Sequence, residues 1–328
     1  MKAVRFTQYG GPEVLELIDT DIPKPSADEV LVRMASISVS KPDFLMRTGR
    51  YPWTRGILPF SPGVDGTGII VEAGSDVKDL VPGTPVYVEH PIVCGCYAEY
   101  KCVPVSRVTV LPEGIDLVSA GAMLNHIIAW GMLTEVCTGT EGNCLYIPGA
   151  AGGMGTAVVQ LAPKLGFRVI ASASTEEKCG YLKQIGADCV FNHAVADPVE
   201  EILSFTEGNG ADVILDQLVG EKFRRNFEML ADYGLVVIYN HLHGFPSDNI
   251  VELLTDNFAK CHGIRVFSAH VHDHHLERFS KIKEDVFGML RSGIVTPHIG
   301  GRFRLEEVQS AHALLDSGNF YGRIILTP

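Results

Sequence analysis

Apolar and polar positions keep two different rhythms along this chain. Over roughly the first hundred residues, short β-branched runs alternate with glycine- and proline-rich punctuation. Lys2–Phe6, Val30–Ala35, Gly66–Val71 and Val86–Val88 predict strands, since alternating side chains suit a sheet with one buried face. Gly10-Gly11-Pro12, Ile22–Pro25, Ser61-Pro62-Gly63 and Val81–Pro85 predict the turns between them. Near residue 118 the texture changes. Leu117–Leu133 is an apolar run of helical length, and from Cys144 onward strands and helices take turns. Cys144–Ile147, Arg168–Ala171, Asp188–Phe191, Val213–Leu215, Leu235–Ile238 and Ile264–Phe267 predict strands. Gly153–Leu165, Thr175–Ile185, Val199–Thr206 and Lys222–Leu230 predict helices. This alternation predicts an α/β domain with a doubly wound parallel sheet. After about residue 270 an amphipathic helix precedes two strand pieces, Phe303–Leu305 and Arg323–Leu326, which predict a return to the first, β-rich domain.

The length, 328 residues, suits about two domains. With 46% hydrophobic and 20% charged residues, the chain is neither disordered nor fibrous. No apolar run reaches the roughly 18 residues of a membrane span. Met1–Thr7 lacks the apolar stretch of a secretory leader, so a cytoplasmic protein is expected. The net charge of −12 argues against nucleic acid or an anionic membrane as the main partner. The eight cysteines include Cys94, Cys96 and Cys102 but form no CxxC pair. They predict reduced packing thiols, not a structural zinc site.

The segment Cys144-Leu145-Tyr146-Ile147-Pro148-Gly149-Ala150-Ala151-Gly152-Gly153-Met154-Gly155 carries the chemistry. Glycines between a strand and a helix permit a tight turn, close approach of a dinucleotide pyrophosphate to the backbone, and close helix–sheet packing. The helix N-terminus adds free N–H groups and partial positive charge. The second strand ends Val169-Ile170-Ala171-Ser172-Ala173-Ser174-Thr175, without the acid that would hold the ribose hydroxyls of NAD. Ser174 and Lys178 can donate to a 2′-phosphate instead, which favours NADPH.

Beyond these local signals, Met1-Lys2-Ala3-Val4, Gly10–Leu15, Arg47–Pro52 and Pro62–Gly68 resemble quinone oxidoreductases. So do Gly149–Gly155, Gln160-Leu161-Ala162 and Gly186-Ala187-Asp188. That family is the zinc-free, zeta-crystallin-like branch of the medium-chain dehydrogenase/reductases. The resemblance implies a GroES-like catalytic domain over residues 1–122 and 270–328, with a Rossmann NADPH-binding domain over 123–269. It also implies NADPH-dependent hydride transfer, without zinc, to a small-molecule quinone or to the C=C bond of an α,β-unsaturated carbonyl. The unusual pocket residues lean toward an enone or enoyl substrate.

Matching residue by residue, Ala151, Gly152, Gly153 and Met154 fall on the pyrophosphate turn, and Ser174 and Lys178 on the adenosine phosphate. His193 stands where relatives place a Tyr, and is either a phosphate contact or a surface-loop residue. Arg323 either reaches the same phosphate or is a solvated strand residue. Ser40 occupies a position where relatives often carry Asn, and Ile128 one that carries a small Thr beside the nicotinamide. Tyr239, Asn240, His241 and Phe267 follow strand ends, where this architecture borders its ligand crevice. For catalysis, Tyr51 is either a substrate contact and proton source or an exposed aromatic. Asn125 and His126 interrupt an apolar stretch, as ligand-facing groups or as a structural pair.

Zinc-dependent relatives use a Cys near Ser38–Ser40 and a Gly-His-Glu, which here reads Gly63-Val64-Asp65. Neither His90 beside Glu89 nor the run His270, His272, His274 and His275 restores a ligand set, so no metal is expected. The alternative to a reductase is a cofactor-binding structural or regulatory relative with little catalysis. The last strand, Ile264–Phe267, would leave a sheet edge, which predicts a homodimer.

Overall fold

The computed structural model describes residues 1–89, 95–137 and 143–328. His90 and Cys94 lie outside them. The chain forms two compact units, one of Met1–Leu124 with Leu276–Pro328 and the other of Asn125–His275. The crossings fall at the starts of the helices Leu124–Glu135 and Leu276–Arg291, later than the expected 122 and 269. The second crossing is delayed because the short 3-10 helix Ala269–His274 still packs on its own unit. There His272 meets Glu135 at 3.4 Å and its ring lies edge-on to Phe267.

The first unit is built on a seven-stranded sheet. Its longest strand, Glu29–Val39, pairs with Asp65–Ala73 on one side and with the C-terminal strand Arg323–Thr327 on the other. Ile324 lies opposite Val39, so the last strand does return to the first unit. Pro85–Glu89, Val108–Val110, Tyr100–Pro104 and Ile299–Arg304 complete the sheet.

In the second unit, six strands are all parallel: Cys144–Ile147, Arg168–Ala173, Cys189–Asn192, Ala211–Asp216, Leu230–Ile238 and Gly263–Val266. Counted along the chain, their spatial order is 3-2-1-4-5-6. That is the doubly wound Rossmann order, in which ligands lie beyond the carboxyl ends of the strands where the winding reverses. Tyr146, Ile170, Phe191, Ile202, Ile214, Phe223 and Phe227 are buried together in its core.

Three helical expectations change form. Leu117–Leu133 splits into Leu117–Gly121 and Leu124–Glu135. Gly153–Leu165 ends as α-helix at Leu161 and continues as a 3-10 turn through Pro163, which has no N–H to donate. Lys222–Leu230 is a 3-10 segment over Gly220–Glu228, where the Asn226 side chain is tied to Asp216 at 2.8 Å. Phe223 and Phe227 are nonetheless buried as their spacing requires. No described helix is long and apolar enough to cross a membrane.

Candidate functional site

The turn after the first strand of the parallel sheet has the form the sequence demands. Gly149 adopts φ +62°, a conformation that favours glycine. Gly155 is pressed against the turn: a Cβ there would lie 2.1 Å from the carbonyl oxygen of Ala150. Gly152 is the opposite case, since a Cβ would meet nothing within 4 Å. No side chain caps the helix Gly153–Leu161, and its first internal bond runs from Thr156 N–H to Gly152 at 2.9 Å. An exposed helix start without a side-chain cap fits a pyrophosphate, whose oxygens accept from backbone N–H groups.

Ser172 joins this turn to the next two strands. Its carbonyl accepts from Ala150 N–H at 2.8 Å. Its hydroxyl lies 3.0 Å from Tyr146 Oη and 3.2 Å from His193 Nδ1. His193 is exposed and held in place by its own N–H, which donates to Ala173 at 2.9 Å. Burial of its ring, then the Lys178 and Lys222 charges, hold the imidazole below its ordinary pKa. Glu176, on the same helix as Lys178, accepts from the Asn192 amide at 2.9 Å. Ser174 is exposed at the same strand end. Two lysines and an imidazole in one field fit a phosphate ester better than ribose hydroxyls. Sequence reasoning found Ser174, Lys178 and His193 but missed Tyr146, Ser172 and Lys222. Lys222 lies 44 positions from Lys178 in a segment with no motif, and only the fold brings its charge to bear on His193.

The loops after the fourth and fifth strands are tied together. Asp216 accepts from Leu218 N–H at 2.7 Å, Val219 N–H at 3.0 Å and the Asn226 amide at 2.8 Å. With its carboxylate so occupied, Asp216 shapes the loop. Leu242 and His243 donate to Gln217 and Leu218, and Gln217 reaches Pro148 at 3.2 Å. Tyr239, Asn240 and His241, expected at the ligand crevice, lie in three different surroundings. The Tyr239 hydroxyl is buried, and burial pushes its pKa up. Asn240 turns its side-chain oxygen onto His241 N–H at 2.8 Å. His241 is exposed and stacks on Phe245 at 4.9 Å. Phe267 is buried and donates from its backbone to Ile238 at 2.9 Å.

Asn125 and Ile128 are half-buried and three residues apart, so they share a helix face. His126 is buried beside Ile127, and so is not on that face. The adjacent polar pair is therefore two separate groups.

In the first unit, the structure gives three of the expected residues defined surroundings. Ser40 caps the helix Lys41–Arg47: its N–H and hydroxyl both donate to Asp43, the N–H at 2.9 Å. Its hydroxyl is occupied there and is not a free amide substitute. Arg323 is buried, not solvated, and its charge acts on Asp43 and Asp65 inside this unit. Arg323 opens the strand Arg323–Thr327, and its cation offsets these two buried acids. Tyr51 is also buried, 5.2 Å from the Trp53 ring, so it is not an exposed aromatic.

The donors at the zinc position of the dehydrogenases do not fit that metal. Ser40 and Val64 offer neither thiolate nor imidazole, and Asp65 accepts from Ser38 and, at 3.1 Å, from Tyr87. Burial raises the Asp65 carboxyl to about 6 and raises Asp43 as well, against the pull of Arg323. Among the described residues, no cluster of three or more His, Cys, Asp or Glu side chains could hold a metal ion. His270 meets Asp273 at 2.7 Å, forming a polar turn before the helix. Cys96 is buried, which pushes its thiol up to about 12 and makes it unreactive.

Comparison with known proteins adds to this geometry. The profile described as alcohol dehydrogenase GroES-like domain matches residues 26–149, and that described as zinc-binding dehydrogenase matches residues 153–281. The quinone oxidoreductase of Lama guanicoe is 30% identical over 99% of this chain and 97% of its own length. The 2-haloacrylate reductase of a Burkholderia species is 27% identical over 97% of this chain and 96% of its own. The solved structure of mycobacterial Rv1454c complexed with NADPH superposes with a TM-score of 0.88 at 26% identity, covering 100% of both chains.

Proposed function

We propose that this chain, which belongs to the quinone oxidoreductase family of zinc-free medium-chain dehydrogenase/reductases, is an NADPH-dependent reductase of quinones or of the C=C bond of α,β-unsaturated carbonyls. The observation that carries this reading is the open turn at Gly152, joined through Ser172 to an imidazole flanked by two lysines. The uncapped N–H groups over Gly152, Gly153 and Met154 would hold the pyrophosphate, with Ala151 completing the turn. Lys178, Lys222, Ser174 and His193 would hold the 2′-phosphate as point charges and donors. When bound, NADPH supplies a hydride from its nicotinamide ring. The protein must then orient the acceptor and stabilise or protonate the oxygen that gains charge.

Tyr51 is our first candidate for that proton, and Asn125 and His126 are further candidates, each on its own, for a donor to the oxygen that gains charge. Ile128, Tyr239 and Phe267 are assigned to the apolar surround of the coenzyme. The 2-haloacrylate reductase among the relatives supports an activated C=C bond as one acceptor class. We also propose a cytoplasmic homodimer. Free cysteines suit a reducing compartment, and Val266 is exposed on the edge strand Gly263–Val266, near in sequence to exposed Phe258. The test is a panel of quinones and enones mixed with protein and NADPH, following the absorbance of the reduced nicotinamide, with and without a chelator. Oxidation that survives chelation is expected. Tight NADPH binding with no oxidation by any acceptor would replace the reductase with a binding protein.

A further inference from the structure

Tyr146, Ser172 and His193 sit at the ends of three successive strands in one line of hydrogen bonds, and two of the three are hydroxyls. A hydroxyl donates or accepts as its hydrogen turns. With His193 neutral, Tyr146 donates to Ser172, and Ser172 donates to Nδ1. With His193 protonated on Nδ1, that nitrogen donates to Ser172 Oγ, Ser172 turns its hydrogen to Tyr146 Oη, and the phenol hydrogen rotates out of the line. In both states Nδ1 stays with Ser172, and Nε2 carries a hydrogen for an anion. The heavy atoms, 3.0 and 3.2 Å apart, need not move.

We infer that this line is a reversible relay that makes binding of a 2′-phosphorylated coenzyme proton-linked: His193 takes up one proton from solvent, at Nδ1, as the phosphate docks at Nε2. The inference rests on the NADPH reading above. A neutral tyrosine at this place would offer a donor and no charge; the imidazole offers a donor in both states and a full charge in one.

Charged groups around the ring agree. Partial burial of the ring first, and then Lys178 on the neighbouring helix and Lys222 on the 3-10 segment, disfavour the imidazolium in the free protein. Glu176 is held by Asn192, and the Asp216 charge is felt at Tyr146. A phosphate of nearly two negative charges reverses this balance, offsetting both lysines and favouring the charged ring. A group that gains a proton on binding makes the complex stronger as pH falls.

The test is calorimetric titration of the full chain with NADPH and with NADH at pH 7.5, in buffers of different ionisation enthalpy. At that pH the coenzyme phosphate is almost wholly dianionic, so proton uptake comes from the protein. Wild type should take up a fraction of a proton with NADPH and none with NADH. Its NADPH affinity should fall by up to about tenfold per pH unit as pH rises through the uptake window. His193→Gln keeps an N–H donor but cannot charge. It should still bind NADPH, without proton uptake and with a flat profile above pH 7. Ser172→Ala removes the acceptor of the charged ring and should move uptake to lower pH, which a purely structural serine would not do. NADPH that binds tightly to wild type with no proton uptake, or with the same uptake in His193→Gln, overturns the relay and leaves the coenzyme assignment standing. No binding of NADPH to wild type overturns both.

Discussion

The strand ends around Ser172 and the acid cluster around Asp65 are both polar, and they are finished in opposite ways. At Ser172 the donors face outward: an uncapped helix start, an exposed imidazole and the charges of Lys178 and Lys222. At Asp65 the charges are turned inward. Asp43 and Asp65 are buried with Ser38, Ser40 and Tyr87 as donors and Arg323 as the balancing cation. One region needs a ligand to complete it, and the other is complete. At the position where zinc-dependent dehydrogenases of this architecture keep a metal ligand, the described residues of this chain form an internal ion balance.

The largest effect should come from breaking the closed region. Arg323→Met leaves two buried carboxyls without their cation and should cost about 3–5 kcal/mol of stability, read from the urea midpoint. Coenzyme affinity of the folded fraction should not change. A loss below about 1 kcal/mol would mean that the cluster is not balanced by Arg323. A smaller, selective effect is expected in the open region. Lys178→Ala should weaken NADPH by about tenfold to a hundredfold, the worth of a charge-assisted contact, and leave NADH unchanged. Equal losses for the two coenzymes would remove the phosphate from this corner.

The two regions were not equally legible in the sequence. The glycine turn was readable because its constraint is local: strand, tight turn and helix follow one another within a dozen residues, and each glycine has a separate steric reason. The alternation of strand and helix likewise gave the parallel sheet and the returning C-terminal strand. The line Tyr146–Ser172–His193 was hidden because it joins three strand ends, and parallel strands are separated in sequence by their crossover helices. Arg323 misled for the same reason. A cation in a terminal strand reads as exposed until the strand is found between Glu29–Val39 and Ile299–Arg304, facing two buried acids. Ser40 was read against an amide in relatives, whereas Asp43 three residues on made it a helix cap.

The central claim is that a coenzyme pyrophosphate lies over Gly152, and one substitution addresses it directly. A side chain at Gly152 meets no protein atom, and φ there is −77°, open to any residue. Gly152→Val should therefore fold with a stability within about 1 kcal/mol of wild type. Calorimetric titration with NADPH should show its affinity reduced by more than a hundredfold, because the valine fills the space the pyrophosphate needs. A Gly152→Val protein that binds NADPH as wild type does would contradict the account.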